Sequence, residues 1–146
     1  MTHIRQATVK DLVRVAEIEI FNYRLNFYPI FQNDAYYFDE LRVDTRAAQL
    51  ETVVSGIWVY DDGVVKGFIQ IDRQTVKKLF VEPVLHGNSI GGELLRYAIN
   101  EFEVNSLWAL EKNIRAIAFY ERHGFRVTGD RMPEDDTTEY LVRLER

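Results

Sequence analysis

Two groups of residues in this 146-residue sequence have types and spacing that could do chemistry. The first is the run Leu85-His86-Gly87-Asn88-Ser89-Ile90-Gly91-Gly92, where three glycines, an asparagine and a serine stand together. Where such a run leads into a helix, the unpaired amides of the first turn face outward and the small residues let a ligand approach the backbone; phosphate oxygens are the natural partner. A pyrophosphate-bearing ligand is therefore one reading, and a plain connecting turn is the other. The run has no Gly-Lys-Ser/Thr, so it is not a P-loop, and Gly87, Gly91 and Gly92 do not match the spacing of the dinucleotide fingerprint. The second group is Asn113 and Tyr120. Seven residues apart on a helix, they share one face at a separation of about 10 Å along the axis. An amide and a phenol would then line one wall; equally, Asn113 would cap the helix and Tyr120 would fill core.

The elements that must position these groups can be read from period and punctuation. Val76, Phe80 and Val81 have strand character and Pro83 ends the run, while Ile90, Leu94, Leu95, Ala98, Ile99 and Phe102 fall at helical spacing. The glycine-rich run thus lies between a strand and a helix. Upstream, Ile4 to Ala7 alternates as a strand, and Thr8-Val-Lys-Asp11 resembles a capping box for a helix carrying Leu12, Val15, Ala16 and Ile20 inward. Ile57 to Tyr60 and Val64 to Ile71 flank Asp61-Asp62-Gly63 as a tight antiparallel pair. Downstream, Leu107 to Leu110 is a strand, Asn113 to Arg122 a helix stopped by Gly124, and Phe125 to Gly129 and Glu139 to Leu144 are the last strands, joined by the acidic turn Pro133 to Asp136. This mixture implies an α/β or α+β sheet with helices on both faces.

Eight of the nineteen aromatic residues fall between Phe21 and Phe38. That density suits either a groove wall or lid over a ligand, or a core packed by a bent helix pair. Asp39, Glu40, Asp44 and Glu51 place carboxylates nearby, which would suit an amine.

The length is that of one domain, residues 1–146, with room for a full core. The absence of cysteine excludes a thiol nucleophile, a thiolate metal site and disulfides. Eighteen Lys and Arg against 23 Asp and Glu give a net charge of −5, which argues against general nucleic-acid binding. No run approaches the ~20 apolar residues that span a bilayer, and the first residues lack a signal pattern, so a cytoplasmic protein is expected.

From Val64 to Phe125 the sequence resembles the GNAT family of acyl-CoA-dependent N-acetyltransferases, and in element order the resemblance covers nearly the whole chain. Its more specific half is Leu110-Glu-Lys-Asn113 through Ala116, Phe119-Tyr120-Glu121 and His123-Gly124-Phe125. In the glycine-rich half, His86 stands where the family has Gln or Arg, Ser89 carries a side chain where the family usually has none, and Gly91 fits. The resemblance implies a mixed, mainly antiparallel sheet with a central splay, in which the strand at Lys77 to Val81 parts from the strand at Leu107 to Leu110. Acetyl-CoA, as cosubstrate, would lie in the resulting V. By the same resemblance the backbone of Leu79, Phe80 and Val81 pairs with the pantetheine arm and binds the developing oxyanion. His86, Gly87, Asn88, Ser89, Ile90, Gly91 and Gly92 form the pyrophosphate loop, Asn113 meets the pantetheine region, and Tyr120 stands near the thioester sulfur as the acid.

What the resemblance implies is transfer of an acetyl group from acetyl-CoA to a primary amine of a small molecule or peptide, by direct attack in a ternary complex. An acyl-CoA-binding or sensing module with weak catalysis is the alternative that His86 and Ser89 allow. No metal, nucleic acid or membrane is expected, and a homodimer is compatible with the exposed strand edges. For the base, Glu82, Asp72 and a water relay stay open. The acceptor is expected against Tyr23 to Glu40 and the turn from Pro133 to Thr138.

Overall fold

A computed structural model describes residues 2–146. Strand β1 (Ile4–Gln6) feeds helix α1 (Leu12–Asn26), followed by the short helix α2 (Tyr28–Phe31), a π-helical turn at Tyr36–Glu40, and helix α3 (Val43–Leu50). Then come β2 (Ile57–Asp61), β3 (Val65–Asp72), β4 (Thr75–Val81), helix α4 (Ile90–Phe102), β5 (Ser106–Leu110), helix α5 (Ile114–Arg122), β6 (Arg126–Pro133) and β7 (Tyr140–Glu145). The capping box forms: the Thr8 amide donates to the Asp11 carboxylate at 2.8 Å.

The seven strands make one sheet in the order β1-β2-β3-β4-β5-β7-β6, antiparallel everywhere except between β4 and β5. Period-2 alternation sends Ile57, Val59 and Phe68 to one face, where they pack with Val15, Ile18 and Leu50 of α1 and α3. Ile69, Ile71 and Val76 go to the other face, against Leu94, Leu95 and Ala98 of α4. Helices cover both faces, as expected.

The β4–β5 pairing positions the site. β4 stays with β3 from Thr75 to Val81 and β5 stays with β7 from Ser106 to Leu110. Between β4 and β5, however, only Thr75↔Ser106 and Val76↔Leu107 pair, fastened by the two hydroxyls of Thr75 and Ser106 at 3.1 Å. From Lys77 onward the two strands part, and the sheet opens as a V. This is the expected central splay.

One expectation needs correction. β6 runs on to Pro133 rather than ending near Gly129, because Gly129, with φ of +97°, takes a bulge that shifts the register and lets pairing with β7 resume at Arg131. In the aromatic segment the core alternative holds: Tyr23, Phe27, Tyr28 and Phe31 surround the buried Ile20, Tyr37 and Leu41. Phe38 and Tyr36 remain exposed at its rim.

Candidate functional site

The V is floored by a cavity of about 440 Å³. One wall is the splayed half of β4. The Glu82 amide donates to the Lys66 carbonyl at 2.9 Å, so by alternation along the strand the backbone groups of Leu79 and Val81 point the other way, into the gap. The Val81 carbonyl is held by two side chains, Asn22 Nδ2 at 2.8 Å and the His86 ring at 3.1 Å. What the gap receives from β4 is therefore the Leu79 N–H and C=O and the Val81 N–H, three backbone groups that a ligand with an amide arm can pair.

The second wall is the glycine-rich run, which bends into α4. His86, Gly87, Ser89, Ile90, Gly91 and Gly92 all line the cavity. Asn88 does not; it is exposed on the outer side of the turn, because the left-handed residues on either side carry it outward. Gly87 has φ of +90°, and Ser89, the residue before the helix, has φ of +67° with no capping hydrogen bond from its side chain. A left-handed conformation costs an ordinary residue roughly 1–2 kcal/mol, and glycine is spared it. Ser89→Gly is therefore expected to raise the melting temperature by about 3 °C; a melting temperature unchanged or lowered in a thermal unfolding scan would show that the serine is not strained there. A Cβ at Gly92 would lie 3.1 Å from the Arg96 guanidinium and 3.3 Å from His123 Nε2, so the missing side chain leaves room for these two groups at the helix start.

His86 lines the cavity and is also engaged within the protein. Its Nε2 faces the Val81 carbonyl, which can only accept, so Nε2 carries the hydrogen. The other nitrogen would then donate to a phosphate only in the imidazolium form.

The third wall is α5. Asn113 caps it, its Oδ1 accepting from the Ala116 amide at 3.2 Å, and its Nδ2 hydrogens remain for a ligand. Tyr120 is buried, packed edge-on against Phe119 and Phe125 at 5.2 and 5.8 Å. Capping and core filling, the plainer sequence readings, are thus both realised. Both residues nevertheless line the cavity. Burial pushes the Tyr120 phenol above its ordinary pKa, so it holds its proton at neutral pH.

Sequence reasoning missed several wall residues. Arg96, Arg115 and Arg122 bring positive charge to the cavity and no carboxylate is among the described lining residues, although the chain as a whole carries −5. Arg115 and Arg122 share the seven-residue spacing of Asn113 and Tyr120, a signal that was available. Asn22 was also legible, as a polar residue in the apolar stripe of α1. It is 1% exposed, and since its Nδ2 donates to the Ile18 and Val81 carbonyls, its Oδ1 is left to face the cavity. Two of the three options for a base fall away from this site: Glu82 pairs with Arg14 at 2.8 Å, and Asp72 sits opposite Thr75 at the closed end of the V.

The donor set fits a CoA thioester: backbone groups for an amide arm, a helix start and three arginines for phosphates, and a protonated phenol. Comparison with known proteins agrees. The family model described as the acetyltransferase (GNAT) domain matches residues 54–127. A peptidyl-lysine N-acetyltransferase, YjaB of Salmonella typhimurium, is 32% identical over 90 residues, covering 56% of this chain and 62% of that protein, so the match spans less than two thirds of the relative's length. Among solved structures, the apo form of YjaB from Escherichia coli superposes with a TM-score of 0.75 at 22% identity, over 97% of this chain and 95% of that one. PaiA N-acetyltransferase from Thermoplasma acidophilum, in complex with coenzyme A, gives 0.75 at 18% identity over 98% of both chains. At these identities the structures show a shared fold.

Proposed function

The chain belongs to the GNAT family of acetyltransferases, and from that membership we propose that residues 1–146 form one N-acetyltransferase domain. It transfers the acetyl group of acetyl-CoA to a primary amine of a small molecule or peptide, by direct attack in a ternary complex. The observation that carries this reading is the splay of β4 from β5, which turns the backbone of Leu79 and Val81 into a cavity with a helix start at one end and a buried phenol at its side. The name of the matched Salmonella relative supports a lysine side chain in a peptide as one form of the amine.

Acetyl-CoA supplies an acetyl group already activated as a thioester. Leu79 and Val81 pair with its amide arm, and an amide of this strand also donates to the carbonyl oxygen as negative charge gathers there. The amides of Gly87 and of Ser89 to Gly92, helped by Arg96, Arg115 and Arg122, hold the phosphates. Asn113 Nδ2 orients the arm. Tyr120 donates its proton toward the departing sulfur. The attacking nitrogen loses one proton and the sulfur gains one, so the reaction is balanced when the proton shed by nitrogen refills the phenolate.

Calorimetry with CoA, followed by thiol release from acetyl-CoA over a panel of amines, amino acids and lysine peptides, tests the reading. Binding with turnover is expected; absence of CoA binding would overturn it, and binding without turnover on any acceptor would favour the sensing module instead.

The phosphate assignment has its own test. A Cβ at Gly91 would touch the Phe119 ring at 3.5 Å and Val81 at 3.6 Å, so the two methyls of Gly91→Val must crowd the loop or enter the cavity. CoA affinity is expected to fall at least tenfold, about 1.4 kcal/mol. Unchanged affinity in a folded Gly91→Val protein would remove the loop from the site.

A further inference from the structure

A second cavity, of about 260 Å³, is lined by α1, the π-helical turn, α3 and β4. Its floor is a charged cluster that the transfer chemistry above does not use. Glu19 is fully buried, with Lys78 Nζ at 2.5 Å and Arg46 Nε at 3.1 and 3.2 Å from its two oxygens. Tyr23 and Tyr36 complete the wall as neutral phenols, both raised above the ordinary tyrosine pKa, first by burial.

The arithmetic of charge is one carboxylate against two cations. Both cations already engage Glu19, Lys78 and Arg46 meeting on its Oε1 and Arg46 Nε also reaching Oε2. The cations are not saturated: Lys78 has two further hydrogens, and Arg46, which also reaches Gln49 at 3.2 Å, keeps its Nη2 end. Burying a net positive charge is costly unless an anion completes it. With Glu40 and Arg42 at the rim included, the excess over all charged lining residues is still one positive charge, which suits a monoanion.

The position says whose anion. Lys78 and Phe80 project from the same face of β4 about 7 Å apart, and the Leu79 backbone between them opens into the first cavity. Glu19 and Tyr23 of α1 line one cavity while Asn22 and Asn26 line the other. A group held at Lys78 and Arg46 therefore lies beside the strand along which the thioester is bound.

We propose that this cavity binds a carboxylate carried by the acceptor, so that the substrate class is an amine with a carboxylate a few bonds away. The inference rests on the acetyltransferase reading. The carboxylate belongs either to a free amino acid or to an acidic residue next to a lysine in a peptide.

The test compares matched acceptors: free lysine against its α-carboxamide, and a Lys-Glu peptide against its Lys-Gln counterpart. The carboxylated member of at least one pair is expected to have a kcat/KM ten or more times that of its neutral partner, and the pair that shows it identifies the source. Arg46→Gln should bring that ratio close to unity through KM, with CoA affinity by calorimetry within threefold, and Arg46→Lys should restore part of it. Lys78→Gln, measured in parallel, serves if Arg46→Gln does not fold. Equal use of acid and amide in both pairs, or a ratio untouched in both variants, overturns the proposal. Calorimetry of the same acceptors on the CoA-loaded protein separates this inference from the one beneath it: selective binding of the carboxylated probes without acetylation supports the cavity and sinks the transfer reading, whereas no binding and no turnover sinks the cavity.

Discussion

Replacing Tyr120 with phenylalanine is expected to lower the turnover number about a hundredfold or more, the usual consequence of losing one general acid. Affinity for CoA should stay within about threefold and the melting temperature should hardly move. The reasoning rests on what the substitution deletes. The ring is held edge-on between Phe119 and Phe125, and phenylalanine keeps those contacts. The hydroxyl has no hydrogen-bond partner among the described residues, so its removal leaves no protein group unpaired. Only the proton at the cavity wall is lost. Because burial raises the phenol's pKa, its acid form is present at all pH values below that raised value and disappears only above it, so Tyr120 should impose no alkaline fall in activity up to about pH 10. Steady-state kinetics with any accepted amine, paired with calorimetry, checks both halves. Wild-type turnover in Tyr120→Phe would reduce the residue to packing and leave the cavity standing.

Glu19→Gln should have the largest effect on stability. Glutamine keeps the volume and one acceptor but removes the carboxylate that Arg46 and Lys78 share, the only one either touches among the described residues. Breaking a buried pair by deleting one partner costs about 3–5 kcal/mol, chiefly because the remaining charge stays uncompensated. In a chain of this size the melting temperature should fall by about 10 °C. Lys78 sharpens the expectation: desolvation already holds its pKa below the ordinary lysine value while Glu19 opposes that fall, so loss of the carboxylate should favour a neutral amine. A melting temperature within 2 °C of wild type would mean that water already compensates these charges. Replacing all three side chains with apolar ones of similar volume should recover much of the loss, which would show that the cluster is retained for something other than stability.

The fold was legible where period and punctuation agreed. Ile90 to Phe102 reads as a helix from its spacing alone, the Asp61-Asp62-Gly63 turn fixes the β2–β3 hairpin, and Gly124, with φ of +90°, ends α5 where expected. β6 was read short because Gly129 looks like a stop, whereas it carries a bulge; only the register with β7 distinguishes the two. The backbone half of the site was legible through resemblance, since the splay depends on β4 and β5 each keeping a different neighbour, a fact of pairing rather than of composition. Asn88 was included as part of a contiguous run, although adjacent loop residues rarely share a side. Glu19 was passed over because a single acidic residue in an amphipathic helix reads as solvated, and its partners Arg46 and Lys78 lie 27 and 59 residues away in sequence.

The V between β4 and β5 also bears on how a long ligand gets in. Among the described residues the two halves of the sheet share backbone hydrogen bonding at one end only, at Thr75↔Ser106 and Val76↔Leu107 and where the Gln74 carbonyl accepts from the Asn105 and Ser106 amides, while the side chains of Ile69, Leu94, Leu107 and Leu144 form one continuous core beneath both. Widening the gap thus stretches contacts that weaken gradually with distance, and it breaks few directional bonds. The halves are joined like book covers on a greasy spine. Breathing of this kind lets an extended molecule enter sideways along its length without threading an end, and it should appear as microsecond-to-millisecond exchange broadening at Lys77 to Val81 and Trp108 to Leu110 that bound CoA suppresses. Equal rigidity of both strands with and without CoA would place the entry route elsewhere.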